Sequence, residues 1–159
     1  AYGLSDRLNI EQDEAAKYIE RYFERFPAVK KYIEKTIAQA KDDGYVTTLL
    51  GRRRPIPELR SGRPQVRGQG ERNAVNMPIQ GTSADIIKIA MVNAHRALQE
   101  SDLSTRLVLQ IHDELLFEGP TAEMEAAGEL VEREMTGAFD LDPPLAVEIG
   151  VGKDWLAAR

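Results

Sequence analysis

The stretch Arg106–Glu118 reads RLVLQIHDELLFE, with two strongly apolar segments on either side of the polar triplet His112-Asp113-Glu114. This pattern predicts a buried β-hairpin whose turn carries the triplet. Because burying an unpaired carboxylate costs several kcal/mol, Asp113 would need a compensating partner, and a divalent cation is one. A polar triplet at a turn can equally be solvated. Alternation along an extended chain puts His112 and Glu114 on one side and Asp113 on the other, so the three need not form one cluster.

The segments that flank this hairpin read as helices and one further strand. A long helix is expected from about residue 71 to residue 99, with a kink at Pro78, because proline lacks the N–H that a helix interior uses. A shorter helix is expected over 122–136, and the alternation over 145–151 predicts a half-buried strand. The core-facing stripe of the long helix comprises Ile87, Ala90, Met91, Ala94 and Leu98. Helices segregated from antiparallel strands indicate an α+β fold.

Two more helices are predicted near the N-terminus. Residues 11–26 carry apolar side chains at three- and four-residue steps, which is typical of an amphipathic helix. Pro27 suits the first turn of a second helix, and Gly44 is expected to end it.

A small hairpin and a loop are expected between these helices and the long one. Residues 45–57 read as two short strands joined by a type II′ turn at Gly51-Arg52. Residues 58–70 are rich in Gly, Pro and Arg and are expected to form a loop whose glycines delay the next helix.

Composition limits the classes of protein and of metal site. The 159 residues are 42% hydrophobic, which suits one globular unit, and no apolar run reaches the roughly 20 residues that cross a bilayer. The N-terminus lacks a secretory signal, so a cytoplasmic protein is expected. With no cysteine and only two histidines, any metal would be held by carboxylates, which favours hard cations such as magnesium.

Charge is divided unevenly along the chain. Residues 52–72 hold seven arginines against two glutamates, a local net charge of +5, whereas residues 113–148 hold eleven acidic residues and one arginine. This asymmetry is compatible with a polyanion lying along one surface, although both stretches could simply be solvated faces. Arg52 and Arg53, at the tip of the small hairpin, are candidate DNA contacts.

A second constellation is formed by Arg72, Asn76 and Gln80, which recur at steps of four and therefore lie near one helix face. An arginine can hold a phosphate, and amide donors match the minor-groove acceptors that every base pair presents. Such contacts would sense base-pair geometry without reading sequence. Polar residues at this spacing are also typical of a solvated helix face.

Six segments that together run through nearly the whole chain closely resemble the C-terminal part of family A DNA polymerases, the bacterial DNA polymerase I type. The segments are Tyr2–Ser5, Gly44–Arg54, Glu71–Asp85, Gln110–Glu114, Val147–Gly150 and Asp154-Trp155. The resemblance implies a right-hand polymerase fold, in which residues 1–10 end the fingers helix and residues 11–159 form an antiparallel palm sheet with its helices. Residues 6–9 are shorter than that family's pattern.

The resemblance also implies roles for single residues. Asp113 resembles one of the two palm aspartates that hold the catalytic Mg²⁺ ions, and Glu114 an accessory carboxylate. His112 matches the residue that approaches the primer terminus, and Tyr2 the tyrosine that closes the nucleotide pocket. The polar helix face described above matches the helix along the primer-template minor groove.

Primer-template DNA and deoxynucleoside triphosphates are therefore the expected partners. One aspartate cannot organise two cations, and the family's other catalytic aspartate precedes the segment that Tyr2 matches. The remaining N-terminal polymerase portion is thus a further expected partner, and the isolated chain is expected to be inactive. Two other hypotheses are a non-catalytic DNA-binding module and, with less support, a stand-alone metal nuclease.

Overall fold

A computed structural model describes residues 2–158, which divide into two compact units. The first unit comprises the chain up to Thr47 together with Gly51–Pro78, and the second comprises Thr48–Leu50 together with the chain from Ile79 onward.

In chain order the elements are the helices α1 (Tyr2–Leu8), α2 (Gln12–Arg25) and α3 (Pro27–Asp43), the strands β1 (Tyr45–Thr47) and β2 (Arg53–Pro55), a 3₁₀ helix (Pro57–Arg60), α4 (Pro64–Glu100), β3 (Arg106–Ile111), β4 (Glu114–Glu118), a second 3₁₀ helix (Thr121–Glu123) and α5 (Met124–Thr136).

The helices α2 and α3 form where the sequence predicts them. Pro27 occupies the first turn of α3, where its missing N–H costs nothing. Gly44 ends α3 in the left-handed conformation, with φ of 79°, and donates its N–H to the carbonyl of Ala40 at 2.9 Å.

The small hairpin differs from its prediction in the length of its turn. Strands β1 and β2 are antiparallel with Thr47 opposite Arg53, so residues 48–52 make a five-residue connection instead of a two-residue turn. Gly51 adopts φ of 84° within that connection. The strands are short because Pro55 and the proline that starts the following 3₁₀ helix end the pairing.

The predicted loop over 58–70 is wrong, because α4 already begins at Pro64. Gly70 lies buried inside the helix, where a Cβ would come within 2.9 Å of the Glu58 Cβ and 3.0 Å of the Leu59 amide nitrogen. This glycine therefore permits close packing of α4 on the 3₁₀ helix. The packing gained outweighs the roughly 1 kcal/mol by which glycine disfavours a helix interior.

One apolar cluster forms the core of the first unit. Its buried members are Ala40, Val46, Ile56, Leu59, Ala74 and Met77. They come from α3, the small hairpin with the 3₁₀ helix, and the first part of α4. A salt bridge between Lys41 and Glu71, at 2.8 Å, joins α3 to α4 beside this core.

The helix α4 runs from Pro64 to Glu100 with Pro78 inside it. The division between the two compact units also falls at Pro78. The kink at this proline stays a prediction. The predicted apolar stripe is confirmed as the inward face of the C-terminal part of α4, with Ala90, Ala94 and Leu98 buried.

The second unit packs the hairpin β3–β4 and helix α5 on the C-terminal part of α4. Its core holds Ala94, Leu98 and Val131, with Phe117 of β4 packed against them. The hairpin itself is more exposed than predicted, since Val108 and Leu109 on β3 are 51% and 47% exposed. Within the described residues, that part of β3 has no covering element.

The strand predicted over 145–151 does not form. Leu145 and Val147 are half-buried, as the alternation requires, but Ile149 and Val151 are exposed. The segment pairs with no strand among residues 2–158. Ladder hydrogen bonds define a strand, and alternation alone does not supply them. In the described part of the chain, no helix is long and apolar enough to span a membrane.

Candidate functional site

The hairpin β3–β4 presents the polar triplet at its tip. Ile111 pairs with Glu114, so His112 and Asp113 form a two-residue turn and Glu114 is the first residue of β4. All three side chains of the triplet are exposed. Asp113 is therefore a solvent-accessible carboxylate at a strand turn, where a cation and a phosphate could both reach it.

His112 holds the turn in a conformation that costs free energy. Its φ of 54° lies in the left-handed region, which disfavours residues other than glycine by about 1 kcal/mol or more. The Gln110 amide donates to the carbonyl oxygen of His112 at 2.7 Å and supports this conformation. Glycine or asparagine more often fills such a turn position.

A carboxylate from another element anchors the root of the hairpin. One oxygen of Glu123 accepts hydrogen bonds from the backbone N–H of Ser104 at 2.9 Å, the backbone N–H of Thr105 at 3.0 Å and the hydroxyl of Thr105 at 2.8 Å. The Ser104 N–H, followed by the Thr105 hydroxyl, lowers the pKa of Glu123 below its ordinary value. Ionised Glu123 thus fixes the chain just before β3.

The C-terminal segment reaches the other end of the hairpin. The indole N–H of Trp155 donates to a carboxylate oxygen of Glu114 at 3.2 Å. Glu114 is therefore held from outside its own strand, beside the residue predicted to bind metal.

The acidic pair at the tip suits a cation that other groups help to hold. Magnesium is usually bound by one or two carboxylates together with water and substrate phosphates. Asp113 and Glu114 offer oxygen ligands of this kind. No three His, Asp or Glu side chains between residues 2 and 158 converge into a metal site, so these residues alone do not enclose an ion.

The candidate DNA-contacting side chains on α4 are exposed. In the first unit, Arg72 and Asn76 lie on the surface, while Ala74 and Met77 on the same helix are buried. The guanidinium of Arg72 donates to the Gln69 side-chain oxygen at 2.6 Å, which orients it. In the second unit, Gln80 is likewise exposed.

The arginines of the small hairpin lie at the surface, as predicted. Arg52, Arg53 and Arg54 are all exposed. The guanidinium of Arg53 lies 4.8 Å from the ring centroid of Tyr45, a cation–π contact that orients it while leaving its edge accessible.

Tyr2 is the first residue of the short helix α1. Its side chain is 74% exposed and no residue of α1 is buried. The aromatic ring of Tyr2 is therefore accessible for contact with another molecule.

Comparison with known proteins settles the family. The family model described as DNA polymerase family A matches residues 1–157, almost the full length of the chain. The chain belongs to DNA polymerase family A. Its α+β fold is accordingly that of a polymerase domain: the POL domain of Pol1 from M. smegmatis, solved in complex with DNA primer-template and dNTP, superposes with a TM-score of 0.95 at 48% identity.

This polymerase chain is also similar in sequence to DNA polymerase I from several bacteria. It is 49% identical to the protein of Mycobacterium tuberculosis over 158 residues, 50% identical to that of Bacillus caldotenax and 46% identical to the thermostable protein of Thermus aquaticus. These matches cover 99–100% of the chain but only 18–19% of each relative, and 28% of the M. smegmatis chain. The chain thus spans about a fifth of the length of its curated relatives.

Sequence patterns indicated the exposed candidate residues but missed the residues that support them. Gln110, Gln69, Glu123 and Trp155 each hold a candidate site residue or its strand by a hydrogen bond. The role of Gln110 could have been predicted, because an amide side chain two residues before a two-residue turn can reach the backbone of that turn. Glu123 and Trp155 act across 18 and 41 residues, which no local pattern encodes.

Proposed function

We propose that this chain contributes a metal-binding aspartate and primer-template contacts to a DNA-directed DNA polymerase. Membership of family A supports the reaction class. The observation that carries the assignment is the exposed carboxylate of Asp113 on a turn that His112 holds at positive φ. DNA and nucleotides as substrates also imply a cytoplasmic location.

In this proposal Asp113 holds magnesium, with Glu114 as an accessory carboxylate. When bound, the metal supplies Lewis-acid stabilisation of the phosphate charge and activation of the primer hydroxyl. The chain's own contribution is to present two oxygen ligands on a rigid two-stranded element, with Gln110 and Trp155 restricting their movement. His112, at the same tip, contacts the primer terminus.

The primer-template is held along α4 and at the small hairpin. Asn76 and Gln80 donate to minor-groove acceptors, which lie at similar positions in every base pair. Arg72, oriented by Gln69, contacts a phosphate, and Arg52 with Arg53 adds further phosphate contacts from the small hairpin. All six proposed DNA-contacting side chains, His112 included, are exposed.

Tyr2 contributes to the nucleotide pocket. The fingers function that we assign to residues 1–10 rests on this exposed ring at the start of α1. Stacking on a flat aromatic ring suits a base, which has a π-face whatever its identity.

The 159-residue chain alone should not extend a primer. Two-metal phosphoryl transfer requires more ligands than the pair at the hairpin tip, and residues 2–158 bring no third carboxylate to it. We propose that the second aspartate, the phosphate-binding fingers residues and the thumb come from the rest of the polymerase, represented in the four-fifths of the relatives that this chain does not match.

The test replaces the matching segment of the M. tuberculosis polymerase with this chain and measures primer extension. Asp113→Asn keeps the side-chain shape but removes the charge, and we expect a loss of at least about 10²-fold in kcat, as for the removal of several kcal/mol of charge stabilisation. Glu118→Gln is the matched control, because Glu118 lies at the far end of β4 and pairs with Arg106 at the surface. Full activity of the Asp113→Asn protein would disprove the assignment.

A non-catalytic DNA-binding module is the second candidate, favoured by the +5 charge of residues 52–72. Both hypotheses predict that binding of primer-template DNA by the isolated chain weakens steeply with salt, because phosphate contacts release counterions. Only the polymerase hypothesis predicts that the Asp113→Asn hybrid loses synthesis while its DNA affinity is retained.

A further inference from the structure

The C-terminal residues of the described chain fold back on themselves in a compact turn. The side-chain oxygen of Asp154 accepts the N–H of Ala157 at 2.9 Å, and its carbonyl accepts the N–H of Ala158 at 3.1 Å. These two bonds close one helical turn with Trp155 inside it. The indole is therefore carried by an ordered turn.

Two glycines allow this turn to pack on the preceding segment. A Cβ on Gly150 would overlap the carbonyl group of Ala158, with the carbonyl carbon at 2.7 Å, and a Cβ on Gly152 would lie 2.6 Å from the carbonyl carbon of Ala157. Real Cβ atoms do not approach backbone atoms so closely. Any other residue at either position would displace the turn and the indole with it.

The turn brings the indole N–H of Trp155 to the carboxylate of Glu114, at 3.2 Å. Trp155 is 40% exposed. A tryptophan N–H can only donate, and a carboxylate accepts strongly, so the bond has one possible direction. Its acceptor is the residue directly after Asp113 in the chain.

We propose that Trp155 is a positioning residue for polymerisation: it fixes the carboxylate of Glu114, and the Gly150/Gly152 turn fixes Trp155. This inference rests on the proposed function, because it assigns Glu114 to the metal-bearing tip. Trp155 touches neither substrate nor metal and acts through Glu114. Because the Glu114 side chain already has one orientation, it loses less conformational entropy when nucleotide and cation bind.

The contact itself is tested in the 159-residue chain by the NMR signal of the indole N–H. Trp155 is the only tryptophan in the sequence, so the signal is unambiguous. Glu114→Ala should move this signal upfield, as expected for a lost hydrogen bond, while the control Glu118→Ala should leave it in place. An unchanged signal in Glu114→Ala would overturn the proposal.

The role is tested by steady-state kinetics in the hybrid polymerase described above. Trp155→Phe keeps an aromatic ring but removes the donor, and should lower kcat about 3- to 10-fold, the range for one ordinary hydrogen bond at an exposed site, with KM for nucleotide and DNA unchanged. Gly150→Ala should lower kcat similarly. In Glu114→Ala, which removes the acceptor, adding Trp155→Phe should cost less than it does alone, because both changes remove the same hydrogen bond.

The outcomes separate the two proposals. Undiminished synthesis in Asp113→Asn would refute the proposed function. Loss of synthesis in Asp113→Asn together with unchanged kcat in Trp155→Phe would refute the positioning role alone. Additive losses from Trp155→Phe and Glu114→Ala would also refute it, because independent effects would show that Trp155 does not act through Glu114.

Discussion

Replacing Gly70 by alanine should destabilise the protein, although alanine is the better helix former. The new Cβ would lie 2.9 Å from the Glu58 Cβ, 3.0 Å from the Leu59 nitrogen and 3.1 Å from the Glu58 carbonyl carbon, none of which is the end of a flexible side chain. Overpacking of this kind costs about 1–3 kcal/mol. The gain in helix propensity is about 1 kcal/mol, so a net loss of up to about 2 kcal/mol is expected.

Gly68→Ala is the matched control, two residues earlier in the same helix. A Cβ there meets only the end of the Arg72 side chain, at 3.8 Å, which is an ordinary contact. This variant should gain about 0.5–1 kcal/mol from helix propensity.

Thermal unfolding followed by far-UV circular dichroism compares the two variants with the unaltered chain. For a chain of this size 1 kcal/mol shifts Tm by about 2–4 °C, so Gly70→Ala should lower Tm by up to about 8 °C and Gly68→Ala should raise it by about 1–4 °C. Equal stabilisation by both substitutions would refute the close packing of α4 on the 3₁₀ helix.

Two further variants address the hairpin that carries the site. Because the folded-state pKa of Glu123 is lowered, ionised Glu123 stabilises the fold above its ordinary pKa, and this contribution is lost as pH falls through the lowered folded value. Glu123→Gln should therefore flatten the fall of Tm as pH drops below the ordinary value of 4.5, as thermal unfolding at each pH will show. An unchanged slope would contradict the anchoring of the hairpin by ionised Glu123. His112→Gly should relieve about 1 kcal/mol of backbone strain and therefore raise Tm. The same substitution should lower primer extension by the hybrid polymerase, because it removes the side chain proposed to contact the primer terminus. Retained synthesis would show that the histidine side chain is not used.

Local signals explain which elements could be predicted from the sequence. The helices α2 and α3 follow from apolar periodicity and from Pro27 and Gly44, whose effects depend on the immediate chain. The start of α4 could not be predicted in this way. Gly70 disfavours a helix in isolation and becomes favourable only through its contact with Glu58 and Leu59. No local sequence pattern indicates this contact, because it forms only in the folded protein.

Pairing also depends on more than the local pattern. The alternation over 145–151 indicates the half-buried side chains correctly only for Leu145 and Val147, because Ile149 and Val151 are exposed. A strand also requires a partner, and residues 2–158 provide none there. The exposed side chains of Val108 and Leu109 have the same explanation, since apolarity predicts burial without specifying what covers the surface. Both features belong to a chain that matches about a fifth of its relatives' length.

The supports of the hairpin are distant in sequence for a mechanical reason. The six residues of β3, at about 3.3 Å each, extend about 20 Å from root to tip, so a rotation of only about 3° at the root would move Asp113 by about 1 Å. A displacement of that size at a reacting group can reduce a rate about 10²-fold. A two-stranded hairpin cannot resist such a rotation through its own hydrogen bonds, because they rotate with it. Fixing the carboxylates therefore requires contacts from other elements at both ends, and Glu123 at the root and Trp155 at the tip provide them.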